Sequence, residues 1–191
     1  MNLAYYYKES DSLAQCAHYI ALAESTTFTL NPVQQSLLSL LKGQLAESHG
    51  DYPAALMLLD SCVAQARIAN SPINLHNGYA TLARIQLAQR QYAQALKNAR
   101  VALGLATQMN DAVSMNLDQK FVAKAYEGLG NTPEALHFYS AYEAGRDTLY
   151  SQETFEAVRI VEEKYESEKK EREIQAQRAQ IAEQRLYLGG G

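Results

Sequence analysis

The chain has 191 residues, 47% of them hydrophobic and 20% charged, which suits a single globular or repeat domain with a hydrophobic core. Its net charge is −4 at pH 7, so no overall positive charge attracts nucleic acid, and we expect no nucleic-acid partner. The sequence shows neither a signal-peptide pattern nor an apolar run long enough to cross a bilayer. With 4 prolines and 10 glycines it is poor in helix breakers, which favours long helices.

Residue types that carry catalysis or bind metals form no recognisable motif. The four histidines lack an HExxH or other paired spacing, and a Walker loop, a GxGxxG turn and a Gly-x-Ser-x-Gly elbow are all absent. Cys16 and Cys62 fit neither a metal site nor a disulfide framework and lie in apolar helical stretches, so we expect small buried side chains. We predict no catalysis, metal or cofactor; the remaining alternative is an enzyme whose site is assembled from scattered residues.

Two features repeat every 40 residues. Side chains that favour the N-cap of a helix occur at Asn31, Ser71, Asp111 and Ser151. An Ala-Leu pair recurs in step with them, at 55–56, 95–96 and 135–136, and each pair follows a predicted turn. A fixed period of this size is typical of stacked structural repeats, so we predict an all-α solenoid of helix pairs.

In chain order, apolar residues recur at helical spacing after each cap. Asp11 is predicted to cap a helix that ends near Glu24, followed by a loop over 25–30. Asn31 and Pro32 then open the first complete pair, because Pro fits the first position of a helix. Helix starts are expected near 31, 52, 71, 91, 111, 132 and 151.

The Ala-Leu pairs also predict part of the core. Ala55, Ala95 and Ala135 are expected to be buried where the two helices of each pair cross, because only a small side chain allows close approach there.

Small and aromatic residues around two of the turns follow one order. They are Gly43, Ala46, Gly50, Asp51, Tyr52, Ala55 and Leu56 in the first pair, and Ala123, Tyr126, Gly130, Ala135, Leu136 and Tyr139 in the third. This order resembles the tetratricopeptide repeat, although the period is longer than the usual length of about 34 residues. The resemblance implies a right-handed superhelix with a partial repeat over 1–30 and three helix pairs over 31–150.

The resemblance also implies a binding surface, because the first helix of each tetratricopeptide pair lines the concave side. The positions carried over are Leu37, Leu40, Gln44, Glu47, Asn77, Ala80, Arg84, Leu117, Lys120, Lys124 and Glu127. Arg84, Lys120 and Lys124 are expected to converge on one groove that takes an acidic group or a peptide carboxylate, so the implied partner is a protein or peptide. They depart from the carboxylate clamp of chaperone-binding members, and ordinary solvated charges remain the alternative.

Residues 151–191 are predicted to form a long capping helix without a repeat partner. The chain is almost wholly charged from Glu162 to Glu173, with acid-first pairs four residues apart that support a solvated helix. Two interrupted heptad frames can be drawn, so we predict a weak parallel homodimer through this helix. The expected contact residues are Val158, Val161, Tyr165, Ile174 and Ile181.

A second resemblance concerns this same segment. Residues 147–149 (Asp-Thr-Leu) and 164–174 (Lys-Tyr-Glu-Ser-Glu-Lys-Lys-Glu-Arg-Glu-Ile) are similar to the link between repeats and a membrane span in Bacteroidetes-type sensor histidine kinases. The resemblance implies an extracytoplasmic (periplasmic) sensory domain of an inner-membrane signalling protein, whose span and kinase lie outside this chain. The alternative is a soluble cytoplasmic scaffold or peptide-sensing regulator built on the same repeats.

Overall fold

A computed structural model describes residues 17, 20–21 and 29–188, with only some of the side chains from residue 153 onward. The fold is an all-α solenoid of the predicted kind, and no strand occurs among these residues. Residues 29–188 hold helices α1 Pro32–Ser48, α2 Tyr52–Ile68, α3 Pro72–Ala88, α4 Tyr92–Gln108, α5 Ala112–Gly128 and α6 Thr132–Leu188. The chain divides into two compact units, Met1–Gly145 and Arg146–Gly191.

The first five helices have the same length, which explains the period of the sequence. Each of α1 to α5 contains 17 residues, and successive helices begin 20 residues apart, so one pair with its two turns occupies 40 residues. The predicted starts near 31, 52, 71, 91, 111 and 132 are therefore confirmed to within one residue.

The turns between the helices share one backbone design. The middle residue of each turn has a positive φ, and these residues are Gly50, Asn70, Arg90, Asn110 and Gly130. The next residue closes the turn by donating its N–H to a carbonyl five residues earlier, as Asp51 does to Ala46 at 2.9 Å. In every one of these turns except that at Gln91, the side chain of this residue also caps the following helix, and Asp51 accepts from the N–H of Ala54 at 3.1 Å. One residue thus ends a Schellman motif and begins the next helix.

The predicted helix start at Ser151 is wrong, because α6 runs from Thr132 through this position to Leu188. The residue equivalent to the positive-φ residues of the other turns is Tyr150, and a bulky side chain is strongly disfavoured in the left-handed region. Instead of capping a new helix, Ser151 donates its hydroxyl to the carbonyl of Asp147 at 2.8 Å within α6.

The core lies between the helices of each pair and between consecutive pairs, and it depends on small side chains. Ala55 and Ala95 are fully buried and Ala135 is 5% exposed, so the predicted burial of these alanines is confirmed. Gly43 of α1 lies against Leu59 of α2, where an added Cβ would approach the Leu59 Cγ to 2.9 Å. Such close approach holds consecutive helices together and presents α1, α3 and α5 side by side. None of the described helices has an apolar stretch of the length that a bilayer requires.

Candidate functional site

Helices α1, α3 and α5, the first of each pair, form one surface, which we call the first-helix face. Buried polar side chains join these helices. Asn74 of α3 donates to the hydroxyl of Ser36 in α1 at 2.6 Å and to the carbonyl of Val33 at 3.2 Å. His76 of α3 lies 2.8 Å from the carboxylate of Asp118 in α5. The face is therefore a connected surface that crosses all three pairs.

A cleft of about 500 Å³ opens between the C-terminal halves of α3 and α5. Its lining combines apolar and charged side chains from three helices: Arg84, Leu87 and Ala88 of α3, Tyr92 of α4, and Phe121, Lys124, Glu127 and Gly128 of α5. Gly128 is required for the wall that Tyr92 forms, because a Cβ at this position would overlap the tyrosine ring. The lining exposes nearly as much polar as apolar surface, so an occupant of the cleft would meet charged groups as well as aromatic rings.

Arg84 is held at the edge of this cleft by Glu47 of α1. Its two terminal nitrogens donate to the two carboxylate oxygens of Glu47 at 2.5 and 2.6 Å. Burial raises the pKa of Glu47, and the charge and hydrogen bonds of Arg84 offset part of that rise. The bidentate pair orients the guanidinium while 48% of the Arg84 side chain remains exposed. Arg84 is thus a positioned cation whose charge is already balanced.

Lys124 differs from Arg84 because it has no acidic partner in the part of the chain that the structure describes. Glu127, one turn further along α5, instead accepts a hydrogen bond from the Tyr139 hydroxyl at 2.6 Å. Burial and the neighbouring Glu127 raise the pKa of Tyr139 to about 12, so this hydroxyl keeps its proton. Lys124 is therefore the cleft cation whose charge is left for a ligand.

The fold is similar to a solved structure, the crystal structure of the TPR domain of Arabidopsis FLU. The TM-score is 0.58 at 18% sequence identity, and the match covers 61% of this chain and 98% of that chain. This chain has a tetratricopeptide-like fold. No protein-family model matches the chain, and no curated protein matches its sequence.

The other residues predicted for the binding surface differ in their exposure and in their distance from the cleft. Lys120 lies outside the cleft lining, with its ammonium 5.2 Å from the centre of the Tyr142 ring. Gln44, Asn77 and Ala80 are partly buried, and Leu37 and Leu117 are exposed. The assignment of Leu40 to the binding surface is wrong, because it is 3% exposed and belongs to the core cluster with Ala55 and Leu59 of α2. Of the three predicted basic residues, the structure brings together Arg84 and Lys124.

The buried pair of His76 and Asp118 was missed by reasoning from the sequence. Burial alone would lower the pKa of His76, but the hydrogen bond and charge of Asp118 outweigh it and raise that pKa. Burial raises the pKa of Asp118, and His76 offsets only part of the rise. The other carboxylate oxygen of Asp118 is buried without a hydrogen bond. The sequence carried one signal of these buried polar contacts. Polar residues recur at the equivalent positions Ser36, His76 and Asn116 of the three repeats, and all three are buried in the structure.

No three His, Cys, Asp or Glu side chains are placed to hold a metal ion within residues 17, 20–21 and 29–188. Cys62 is buried as expected, while Cys16 lies outside the described residues. Burial raises the pKa of the Cys62 thiol to about 11, so it remains protonated at neutral pH and is a poor nucleophile.

The residues predicted for a dimer contact all lie on α6. The structure describes the side chain of Ile174, which is 49% exposed. The side chains of the other four lie outside the described residues: Val158, Val161, Tyr165 and Ile181.

Proposed function

We propose that this chain is a non-catalytic binding module that holds an acidic segment of a protein partner on its first-helix face. The observation that carries the proposal is the cleft in which Lys124, which has no acidic partner among the described residues, lies beside Tyr92 and Phe121. A carboxylate entering the cleft would meet the Lys124 ammonium and the exposed side of Arg84. Apolar parts of the same segment would contact the two aromatic rings and Leu87.

The position of Arg84 supports recognition of an acidic group rather than a general attraction of charge. Because Glu47 already fixes the guanidinium, little side-chain entropy is lost when a second carboxylate approaches it. Glu127 also lines the cleft and Glu47 pairs with Arg84, so the two acids favour a ligand that places its carboxylate beside Lys124 and away from both of them.

Charge reversal at Lys124 tests the proposal. A labelled library of short acidic peptides is screened by fluorescence anisotropy, and the Lys124→Glu variant should bind the selected peptide at least about 10-fold more weakly. Lys97→Glu, an equal change on the exposed surface of α4, is the matched control and should leave the affinity unchanged. Equal losses in both variants, or no acidic peptide that binds the wild type, would contradict the proposal.

We also propose a place for the module, as the extracytoplasmic sensory domain of a bacterial membrane signalling protein of the sensor histidine kinase kind. The continuity of α6 favours this, because a helix without a turn at Tyr150 is suited to carry a binding signal along the chain. The reading frame beyond Gly191 in the gene tests it. About 20 consecutive apolar residues would support the sensor, whereas a stop codon or a helix-turn-helix pattern would favour the cytoplasmic scaffold or peptide-sensing regulator.

A weak parallel homodimer through residues 155–188 belongs to the same proposal. Ile160 and Ile174, 55% and 49% exposed, lie two heptads apart on α6 and leave apolar surface for a second helix. Light scattering of the chain should give a monomer–dimer equilibrium that moves toward monomer when Val158 and Val161 are replaced by Lys. A strictly monomeric wild type would rule out the dimer of this chain.

A further inference from the structure

A row of exposed apolar side chains crosses the first-helix face at the opposite end from the cleft. Val33, Ile73 and Val113 are the second residues of α1, α3 and α5, and they are 45%, 62% and 59% exposed. One turn further along, Leu37 and Leu117 are 40% and 41% exposed. We call these five residues the apolar row.

The residues of the row lie on neighbouring helices rather than at scattered points. The hydrogen bond from Asn74 to the carbonyl of Val33 places the start of α3, and with it Ile73, beside the start of α1. Single exposed apolar side chains are ordinary on protein surfaces, but here large apolar side chains are exposed at the same position of three consecutive repeats. Such a repeated arrangement on neighbouring helices is typical of a surface that a partner covers.

The spacing of the row selects the conformation of that partner. Polar contacts between side chains hold α1 to α3 and α3 to α5 as packed neighbours, with helix axes about 8–10 Å apart. A helix lying across them rises about 1.5 Å per residue, so side chains seven residues apart recur every 10 Å or so on one face. An extended segment covers about 10 Å in three residues, an odd number that turns the next side chain to the opposite face. A helix with heptad spacing therefore fits the row, and an extended strand does not.

Charge decides how this helix would be oriented. Beyond Leu117, successive turns of α5 carry Lys120 and then Lys124, and α3 carries Arg84 in the half that borders the cleft. One flank of a helix seated on the row would thus face basic side chains, which favours acidic residues on that flank.

We infer that the partner is an amphipathic helix of another protein, with large apolar residues at heptad spacing packed on the apolar row. Its acidic flank would face Lys120 and Lys124, and in that respect the inference rests on the proposed function. The new element is the apolar, helical contact at the N-terminal ends of α1, α3 and α5.

A designed peptide tests the inference. The probe is a fluorescein-labelled three-heptad helix with Leu at the two core positions of each heptad and Glu on one flank, and its affinity is measured by fluorescence anisotropy. Ile73→Glu should weaken binding at least about 10-fold. Met57→Glu, the same kind of change at a 68% exposed position on α2, should leave it unchanged. A peptide of identical composition with the Leu residues moved out of heptad spacing should bind at least about 10-fold more weakly.

The inference is overturned if the heptad peptide does not bind, if Ile73→Glu binds it as the wild type does, or if both peptides bind equally. It is also overturned if the wild type alone sediments as a dimer that Ile73→Glu dissociates, because a second copy would then cover the row. Lys124→Glu separates the two proposals. Loss of binding in Ile73→Glu alone supports the helical contact and contradicts acidic recognition, whereas loss in Lys124→Glu alone overturns the helical contact.

Discussion

Replacement of His76 by Ala would leave one of the most deeply buried carboxylates of the chain without a partner. Asp118 is 0% exposed, and its Oδ1 atom already lacks a hydrogen bond. The other oxygen, Oδ2, forms its hydrogen bond with His76 Nε2 at 2.8 Å. The pair also joins α3 to α5, so its loss weakens the contact between the second and third helix pairs.

The expected destabilisation is large and depends on pH. Removing one member of a buried ion pair typically costs about 3–5 kcal/mol, a sizeable part of a total stability of about 5–15 kcal/mol. Burial already raises the pKa of Asp118 above its ordinary value of 3.8, and without His76 it should rise further. A carboxyl group whose pKa is raised on folding lowers the unfolding free energy of the protein progressively as pH rises from its unfolded to its folded pKa. The deficit should therefore be small in acid and should grow as pH rises toward neutral.

At still higher pH the deficit should shrink again. Asp118 raises the pKa of His76 in the wild type, so while Asp118 is ionised the stability that His76 contributes is present below its ordinary pKa of 6.5 and is lost as pH rises through the folded value. The wild type then holds a neutral imidazole beside the carboxylate, so its unfolding free energy falls toward that of the His76→Ala variant.

Urea unfolding followed by circular dichroism at several pH values measures these differences. The double variant His76→Ala/Asp118→Asn should recover part of the loss near neutral pH, because a neutral amide removes the buried charge. His49→Ala, a change at an exposed C-cap residue of α1, should stay within about 0.5 kcal/mol of the wild type. A loss below about 1 kcal/mol near neutral pH, or a loss independent of pH, would refute the buried pair as the cause.

Three further predictions follow from single positions. Arg90 has φ of 59°, so Arg90→Gly should relieve strain and raise the unfolding free energy by about 0.5–1 kcal/mol; an unchanged thermal midpoint would contradict this. Ala95→Leu should overpack the crossing of α3 and α4 and cost about 1–3 kcal/mol, measured by urea unfolding. Gly128→Ala should displace Tyr92 from the cleft wall and weaken acidic-peptide binding in the anisotropy assay while helix content is unchanged.

The repeat architecture was predictable because local side-chain chemistry determines where its turns and helix starts lie. Each turn needs a residue that tolerates a positive φ and, directly after it, a residue that closes the turn, and most of these positions hold Gly or Asn followed by Asp, Ser or Asn. These choices recur with the helix length, so the period and the helix starts could be read without any tertiary contact.

The wrong helix start predicted at Ser151 shows that local side-chain chemistry alone does not determine where a turn forms. Arg90 is also a poor residue for a positive φ, yet its turn forms because it lets α4 bury Ala95, Ala99, Ala102 and Ala106. A turn at Tyr150 would lead into a helix whose large apolar residues, Phe155, Val158, Ile160 and Val161, are soon followed by an almost wholly charged run from Glu162 to Glu173. Tertiary burial compensates for the strained residue in the first case, whereas in the second the helix simply continues.

The contacts of the site depend on how far neighbouring helices are shifted along one another, and the repeat period gives no information about that shift. His76 and Asp118 are 42 residues apart, two more than one repeat, whereas Glu47 and Arg84 are 37 residues apart, three fewer than one repeat. The sequence therefore indicated which helices carry the basic residues. It did not show that Glu47 balances Arg84, or that Lys120 lies against Tyr142.

Equivalent positions of the three repeats separate two kinds of surface. Positions 33, 73 and 113 hold Val, Ile and Val and stay exposed in every repeat, although burial in the core gives no reason for an apolar residue there. Positions 44, 84 and 124 hold Gln, Arg and Lys, so the polar end of the same helices changes from one repeat to the next. The apolar residues at positions 33, 73 and 113 can provide binding area along the whole length of a partner helix. The variable polar residues can fix that helix in one register, because Lys124 lies on α5, the last of the three helices that it crosses.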